Sequence, residues 1–364
     1  MKSCRTRGIR NIFVGTGGKD DDTVKTSQFS RGSLAILVLA LAILGACADI
    51  RPSSPSTVTK RAQMHMGTLV TVTVLASDKN VGDRAVQAAF NEIKRLEQLL
   101  STWRPDSELS RVNAEAGRQS VKVSRETFEL VVRSLELAQL TRGGFNIALG
   151  PAIEAWSITE RQHIPDEQVL ELLKPLVDWT SIQTNKEAST VYLPQKGMRI
   201  DVGGVGKGYA ADRAVEVMKR AGAQGGVVAL SGDIKAFGML SERRGFPVGI
   251  RHPREEGALI GIIDLHDEAV STAGDYERFF ERDGVRYHHI LDPHTLQPAR
   301  GCQSVTVIAK DGTMADGLDT GIFALGPENG MALVEHLPDV EAIIIDANGT
   351  LMLSSGLRDR LGAP

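Results

Sequence analysis

The segment from Asp201 to Asp212 contains four glycines around Lys207 and runs directly into an amphipathic stretch. Glycine lets the backbone approach a ligand closely and adopt positive φ angles. The N-terminus of a following helix offers unpaired N–H groups and a dipole that favours anions. The pattern therefore predicts a phosphate-binding loop, and a nucleotide or dinucleotide is the first ligand to consider.

Two common nucleotide-binding motifs do not fit this loop. A P-loop needs glycine five positions before Gly206, where the chain has Asp201, and Ser or Thr after the lysine, where it has Gly208. The dinucleotide fingerprint would need its third glycine one residue later than Gly208. P-loop chemistry is thus disfavoured, and a Rossmann oxidoreductase is only a weak alternative.

A second chemical segment runs from Thr313 to Gly321. Helical spacing places Asp316, Asp319 and Thr320 on one face. Hard oxygen ligands without nearby cysteines or paired histidines favour Mg²⁺, the usual partner of phosphate substrates. The alternative is a solvated acidic helix face, but the apolar run 322–325 favours a partly buried helix.

A third segment, Tyr287 to Pro293, contains two adjacent histidines. Strand alternation sends His288 and His289 to opposite faces, so only one can serve a given site. We favour His289 as a general base, with Asp292 orienting it or helping to hold a metal. A partly buried structural histidine is the alternative.

Other segments are ambiguous. Ser231–Asp233 and Ser271–Asp275 are each expected to follow a strand, where they would bind polar groups or simply form turns. The glycine-bounded apolar loop Gly143–Pro151, followed by Trp156, is typical of a cleft that binds an aromatic ring, although core packing explains it as well. The same two explanations apply to Met66–Thr68 and Ser101–Arg104.

The N-terminal region is predicted to export the protein. Lys25 and Arg31 precede the uncharged run 34–46, which is too short for a membrane-spanning helix and typical of a signal peptide. Small residues before Cys47 are similar to a bacterial lipoprotein cleavage box, so lipidation of Cys47 and a membrane anchor are expected. An ordinary signal peptide or a short membrane helix is the alternative.

We therefore divide the chain into a signal peptide (1–46), a lipidated cysteine with a flexible tether (47–63) and a folded domain (64–364). Cys302 is then the only cysteine of the folded domain, which excludes an internal disulfide. The net charge of −3, without a basic patch, argues against nucleic-acid binding.

The elements that must position these residues follow from hydrophobic periodicity. Strands are predicted at 68–75, 191–202, 226–230, 246–250, 260–265, 285–291, 304–308 and 340–345. Helices are predicted at 84–100, from Ser124 as N-cap to about Leu140, and at about 209–221. Strand runs mixed with separated helices indicate an α+β fold.

In this order, the motifs resemble those of the ApbE family of FAD:protein FMN transferases across nearly all of the expected mature chain. The family-like residues are Met66–Thr68, Ser101–Trp103, Gly150–Pro151 with Trp156, Asp201–Asp212, His289 with Asp292–Pro293, and Ala315–Thr320. The resemblance implies two fused lobes around a central cleft for FAD and Mg²⁺. It also implies an exported enzyme that transfers FMN from FAD to a Thr or Ser hydroxyl of another exported protein and releases AMP.

Residue roles also follow from the resemblance. Mg²⁺ would be held by the Gly204 carbonyl, Asp316 and Thr320, with Asp319 close by. The chemistry of the residues themselves, rather than the resemblance, makes His289 and Asp292 the catalytic candidates. FAD would contact Met66, Trp103, Gly144, Phe145, Asn146, Asp201, Lys207 and Leu291. Three residues depart from the common pattern: Asn146 stands where aspartate is frequent, Trp103 where tyrosine is frequent, and Leu296 where glycine is usual.

The sequence leaves two alternatives open. A Mg²⁺-dependent FAD pyrophosphatase would use water in place of the protein hydroxyl and give FMN and AMP. A non-catalytic flavin-binding lipoprotein would bind FAD without turnover, but it would not need Asp316, Thr320 and His289 together. The expected acceptors are exported flavoproteins such as subunits of membrane redox complexes, and the expected location of the catalytic domain is the periplasm.

Overall fold

The structure is a computed structural model and describes residues 57–364. Its strands are β1 (Thr57–His65), β2 (Thr68–Ala76), β3 (Val121–Lys122), β4 (Gln183–Asn185), β5 (Thr190–Tyr192), β6 (Gly225–Leu230), β7 (Asp233–Phe237), β8 (Phe246–Arg251), β9 (Leu259–Leu265), β10 (Ala269–Gly274), β11 (Phe279–Arg282), β12 (Val285–His288), β13 (Cys302–Ala309), β14 (Glu341–Asp346) and β15 (Leu351–Leu353). Its α-helices are α1 (Lys79–Leu100), α2 (Glu108–Ala114), α3 (Arg125–Leu140), α4 (Gly150–Trp156), α5 (Glu167–Leu173), α6 (Gly206–Arg220), α7 (Gly312–Leu325) and α8 (Pro327–Val334).

An eight-stranded sheet forms the centre of the described domain. Its strand order is β1-β2-β6-β7-β10-β13-β14-β15. Each neighbouring pair is antiparallel. The remaining strands form the small sheets β3-β5-β4, β8-β9 and β11-β12. This mixture of antiparallel sheets and separate helices confirms the predicted α+β class.

Helices α1, α6 and α7 cover one face of the central sheet and form the main core with it. Helix α1 begins where Asp78 caps the backbone N–H groups of Asn80 and Val81. Its buried stripe includes Phe90 and Ile93, which pack in the same core as the inward β-branched side chains of β2. Helices α6 and α7 pack beside it, over the strands that carry the candidate site.

The other face of the sheet is partly covered by the β8-β9 hairpin. Phe246, Ile250 and Ile263 of the hairpin pack in one cluster with Val270 of β10 and Ile308 of β13. A third cluster surrounds Trp156, whose indole N–H donates to the carbonyl of Leu296 at 2.7 Å. These clusters lie within one compact unit, which agrees with the expectation of one domain built from fused lobes.

Most predicted elements are confirmed to within a few residues, but the strand predicted at 191–202 is wrong. Only Thr190–Tyr192 is a strand, and the chain then runs without regular structure to the glycine loop. At Ile200, a side chain takes the place of a partner strand. The Asn113 amide donates to the Ile200 carbonyl at 2.9 Å and accepts from the Ile200 N–H at 2.7 Å. Alternating apolar residues here fill the core without pairing with another strand.

The start of the folded domain also differs from the prediction at Met64. Strand β1 begins at Thr57, inside the predicted tether, and pairs with β2 along its whole length. It is an edge strand with mostly exposed residues, so it carries little apolar alternation for a sequence pattern to detect. The predicted signal peptide and Cys47 lie outside the described residues. Within residues 57–364, no helix combines the length and apolar character needed to cross a membrane.

Candidate active site

Three buried carboxyl groups form the centre of the candidate site. Asp233 starts β7, whereas Asp316 and Asp319 lie on the inward face of α7. One oxygen of each group lies within 4.8 Å of the others. Each of the three residues is 2% exposed. The spacing of Asp316 and Asp319 predicted their common face, but Asp233 was predicted only as a turn or polar-contact residue.

Each carboxyl group has a partner within the chain. Asp316 accepts from the Gly208 N–H at 2.8 Å, and Asp319 accepts from the Thr320 hydroxyl at 3.1 Å. Asp233 forms an ion pair with Lys207. The glycine loop and the acidic helix, which are about a hundred residues apart in the sequence, therefore form one site.

The charge balance of the cluster favours a cation. Burial raises the pKa values of Asp316 and Asp319, and repulsion from neighbouring carboxylates adds to this effect. Burial alone would lower the pKa of Lys207, but attraction to Asp233 and Asp316 outweighs it, so this pKa is raised. One ammonium opposes three carboxylates, and two negative charges remain when all are ionised. A divalent cation with oxygen preference fits this donor set.

The glycine loop differs from the expected anion cradle. The Gly203 N–H donates to Asp201 at 2.7 Å, and the Gly206 N–H donates to the Val202 carbonyl at 2.7 Å. The Gly208 N–H is bound to Asp316. These three N–H groups are satisfied inside the chain, which corrects the prediction that they point outward. At the N-terminus of α6, the Gly208 N–H binds the carboxylate of Asp316 in the place where a ligand phosphate was expected.

Close packing explains two of the glycines. A Cβ atom on Gly208 would lie 2.0 Å from the carbonyl oxygen of Gly312, so α6 and α7 can cross this closely only without it. A Cβ atom on Gly204 would lie 3.1 Å from the Thr320 hydroxyl oxygen. Gly204 and Thr320, which the family resemblance assigns to the metal, are therefore neighbours.

The adjacent histidines differ in exposure, because His288 is buried and His289 is exposed. His288 is 2% exposed. Its Nε2–H donates to the Ala299 carbonyl at 2.7 Å, and its Nδ1 accepts from the Ile290 N–H at 3.3 Å. Burial lowers the pKa of His288 to about 4. His288 is thus a neutral structural residue.

His289 instead has an exposed side chain and follows the end of β12. Surrounding protein atoms lower its pKa, and the positive charges of Arg278 and Lys207 lower it further. The imidazole is therefore unprotonated near neutral pH, which is the form that a general base requires.

Asp292 occupies its own turn. One oxygen accepts from the His294 N–H at 2.9 Å and the other from the Thr295 hydroxyl at 3.0 Å. The turn also places Leu296 at a φ angle of 57°, where glycine is usually favoured, with its side chain fully buried. Asp292 therefore shapes the segment after His289 and is not one of the three carboxyl groups of the buried cluster. Its catalytic role stays a prediction.

Among the residues predicted to bind FAD, Asp201 joins two loops. Its second oxygen accepts from the Thr102 hydroxyl at 2.8 Å, which brings the loop containing Trp103 to the glycine loop. Trp103 is 75% exposed, so its ring is available to a planar ligand. Phe145 is buried and packs between Gly204 and Gly321.

Four other predicted FAD contacts are already engaged within the protein. Gly144 is packed against the Gly321 carbonyl, since an added Cβ atom would lie 2.6 Å from that oxygen. Asn146 donates to the Val177 carbonyl at 2.8 Å and accepts from the Ala148 N–H at 2.8 Å. Leu291 is buried in the cluster around Trp156, and Met66 sits in the β1-β2 turn against the main core. Their predicted contacts with FAD stay predictions.

Sequence reasoning missed the central position of Asp233 and Ser271. Ser271 was expected to follow a strand, but it lies inside β10 and contacts both Asp233 and Asp319. The signal that the sequence offered for Ser271 was a serine within a mostly apolar strand. That signal does not reveal which residue lies opposite.

Comparisons with known proteins agree with this geometry. The family model described as the ApbE family matches residues 66–344. The chain is 35% identical to the FAD:protein FMN transferase of Treponema pallidum (strain Nichols), over 90% of this chain and 94% of that protein. It is 33% identical to a FAD:protein FMN transferase of Klebsiella pneumoniae (strain 342), over 81% of this chain and 91% of that protein.

Solved structures show the same fold. The crystal structure of the ApbE protein from Thermotoga maritima matches with a TM-score of 0.79 and 30% identity, covering 84% of this chain and 99% of that one. The apo flavinyl transferase ApbE of Pseudomonas stutzeri matches with a TM-score of 0.75 and 27% identity, covering 85% and 98%. With the family motifs brought together around one buried carboxyl cluster, this chain belongs to the ApbE family.

Proposed function

We propose that this chain transfers the FMN part of FAD to a serine or threonine hydroxyl of an acceptor protein and releases AMP. The observation that carries the proposal is the buried cluster of Asp233, Asp316 and Asp319 beside Lys207. Such a cluster suits a cation-assisted reaction of a pyrophosphate, and curated relatives are named FAD:protein FMN transferase.

The donor set fits Mg²⁺ as the cofactor. Asp316, Asp319 and Thr320, with the Gly204 carbonyl, would hold it, and Asp233 offers a third carboxylate from the sheet. The bound ion would neutralise charge on the pyrophosphate of FAD. Oxygen ligands, burial and excess negative charge are the features on which this assignment rests.

The chain's own residues supply the remaining steps. Lys207 binds a phosphate oxygen, and Trp103 stacks on a planar ring of FAD. His289 accepts the proton of the acceptor hydroxyl through an unprotonated ring nitrogen. The hydroxyl oxygen then bonds to the phosphorus of the FMN half, while the bond from that phosphorus to the AMP oxygen breaks.

The proposed cellular setting follows from the N-terminal sequence. Lipidation of Cys47 would anchor the protein to a bacterial membrane, with the catalytic domain in the periplasm. Exported flavoproteins, including subunits of membrane redox complexes, would then be within reach as acceptors. Globomycin treatment, which blocks removal of lipoprotein signal peptides, should leave a longer precursor if this assignment is correct.

A direct assay tests the activity. The purified protein is incubated with FAD, Mg²⁺ and an exported acceptor domain from the same genome, and acceptor mass and AMP are measured. A mass increase of one FMN together with AMP supports the transferase. AMP and free FMN without acceptor modification would favour the FAD pyrophosphatase, whereas tight FAD binding without either product would favour a binding protein.

A further inference from the structure

Ser271 occupies an unusual position between two acidic side chains. It lies in the middle of β10 and is 1% exposed. Its hydroxyl oxygen lies 2.5 Å from Asp233 Oδ1 and 2.6 Å from Asp319 Oδ2. Ser271 therefore connects a carboxylate of the sheet to a carboxylate of α7.

The two carboxylates have different partners on their far sides. The second oxygen of Asp233 is paired with Lys207, and the second oxygen of Asp319 accepts from the Thr320 hydroxyl. Ser271 is thus the middle of a chain of contacts that runs from the lysine to two of the groups assigned to the metal. Such contacts fix the orientation of metal ligands and commonly change metal affinity.

A hydroxyl is well suited to this middle position. It carries one hydrogen, so it donates to one carboxylate at a time and holds the other oxygen nearby. A larger or charged side chain would not fit between oxygens at these distances, and an apolar one would leave buried carboxylates facing each other without a donor.

We propose that Ser271 is a positioning residue that joins the Lys207–Asp233 ion pair to Asp319 and thereby sets the affinity of the site for Mg²⁺. This inference rests on the proposed function, because it assumes that Asp319 and its neighbours bind the metal. It assigns Ser271 no contact with FAD. Its effect should appear in metal binding before any reaction takes place.

The next residue of the same strand supplies a matched control. The Thr272 hydroxyl lies 2.9 Å from the Thr306 hydroxyl. Neighbouring residues of a strand point to opposite faces, so Thr272 is on the side away from Ser271. Thr272→Ala removes a hydroxyl and a hydrogen bond from the same strand without touching the carboxyl cluster.

The test is isothermal titration of MgCl₂ into the purified protein without FAD or acceptor. We compare wild type with Ser271→Ala, Ser271→Cys and Thr272→Ala, after circular dichroism and thermal unfolding show that each is folded. The Ser271 variants should raise the Kd for Mg²⁺ by about 10-fold to 100-fold, the range seen when groups that orient metal ligands are removed. The Kd of Thr272→Ala for Mg²⁺ should stay within about twofold of the wild-type value, since this hydroxyl does not face the site.

Ser271→Cys distinguishes the effect of losing the hydrogen-bond donor from the effect of leaving a cavity, because a thiol fills the position but donates weakly. Wild-type affinity in this variant, or an equal loss in Thr272→Ala, would overturn the proposal. Unchanged affinity in Ser271→Ala would also overturn it.

A second readout uses the reaction. At saturating Mg²⁺, Ser271→Ala should recover transfer to within about threefold of wild type, because the residue acts through metal affinity. A kcat that stays low at saturating Mg²⁺ would contradict a purely positioning role. Weakened Mg²⁺ binding in a protein that modifies no acceptor would leave this inference standing while the proposed transferase fails. Normal Mg²⁺-dependent transfer, together with wild-type Mg²⁺ affinity in the Ser271 variants, would support the transferase and overturn the inference about Ser271.

Discussion

At the scale of single residues, the neighbours His288 and His289 show how burial separates two identical side chains. Both ring nitrogens of His288 are used by the backbone in a buried position. His289 follows the hairpin strand β12 and has an exposed side chain. The first is therefore fixed as a neutral structural group, whereas the second is accessible, as the proposed role of general base requires.

His289→Gln should abolish most of the transfer activity. Loss of a general base typically slows a reaction about 10²-fold to 10⁴-fold. Binding of FAD and Mg²⁺ should change little, because the substitution leaves Lys207 and the carboxyl cluster in place. The measurement is single-turnover transfer to the acceptor, with FAD and Mg²⁺ affinities determined separately.

The exposed residue His294 is the control, and His294→Gln should transfer FMN at the wild-type rate. Because the pKa of His289 is lowered, its own titration should not reduce the wild-type rate as the pH drops from about 7.5 to 6, provided that saturating Mg²⁺ keeps Asp316 and Asp319 ionised. Full activity in His289→Gln would require another base.

His288 should make the stability of the protein depend on pH. In the unfolded chain this histidine binds a proton near pH 6.5, whereas its pKa in the folded protein is lowered to about 4 by burial. The contribution of neutral His288 to the free energy of unfolding is complete above about pH 6.5. It is lost as the pH falls from about 6.5 to about 4, and the loss amounts to at most about 3 kcal/mol.

Urea unfolding of wild type and His288→Gln at pH 7.5 and pH 4.5 measures this contribution. The variant should be less stable at pH 7.5, because glutamine cannot reproduce both backbone bonds, but it should lose less stability on acidification. Equal losses in the two proteins would show that His288 is not responsible.

At the scale of elements, the crossing of α6 and α7 forms the site. Asp212 of α6 accepts from the Gly312 and Thr313 N–H groups at 2.7 and 2.9 Å, so one helix caps the start of the other. Gly208 and Gly312 allow the backbones to touch at the same point. This contact fixes where Asp316 and Asp319 face the sheet.

Gly208→Ala should therefore be strongly destabilising and should weaken metal binding. The new methyl group would lie 2.0 Å from the Gly312 carbonyl oxygen and 2.8 Å from Asp316 Cβ, so the helices must separate. Overpacking of this kind costs about 1–3 kcal/mol or more. Chemical unfolding and Mg²⁺ titration are the measurements.

Gly206→Ala is the matched control in the same loop. The nearest atom to its added Cβ would be Val202 Cγ2 at 3.6 Å, an ordinary contact. This variant should stay within about 1 kcal/mol of wild type, since alanine also favours a helix. Equal effects of the two substitutions would mean that loop flexibility, rather than helix contact, requires glycine.

At the scale of the whole molecule, the central sheet brings distant segments to one place. Asp233 and Ser271 lie on the neighbouring strands β7 and β10, and α7 packs over both. The separation of Asp233 and Ser271 in the sequence does not predict that they are in contact. Their contact depends on strand order.

Strand β1 should be part of the stable domain. A chain that begins at Thr57 should unfold like the mature protein, whereas one that begins at Met64 lacks most of the hydrogen bonds between β1 and β2. It also loses the ion pair of Arg61 with Asp83. We expect the shorter chain to be less stable by at least about 2 kcal/mol, because each lost backbone bond contributes about 1 kcal/mol. Equal unfolding midpoints in urea would show that β1 is dispensable.

Local patterns account for the elements that the sequence predicted well. Helix α3 has its N-cap at Ser124 and ends at Leu140, and the buried stripe of α1 has the expected spacing. Strand β1 and the segment 193–202 were predicted wrongly for opposite reasons. The first is an edge strand without apolar alternation, and the second alternates without a partner strand.

By itself, the sequence determined the family, the α+β class, and the helical pair Asp316 and Asp319, because these depend on motifs and on local periodicity. Tertiary structure alone decided that Asp233 completes the carboxyl cluster, that Ser271 lies between two carboxylates, and that Gly208 serves a helix crossing. The physical reason is that burial, electrostatic repulsion and close contact arise between residues far apart in the chain. Their magnitudes depend on distances that only the folded sheet and helices define.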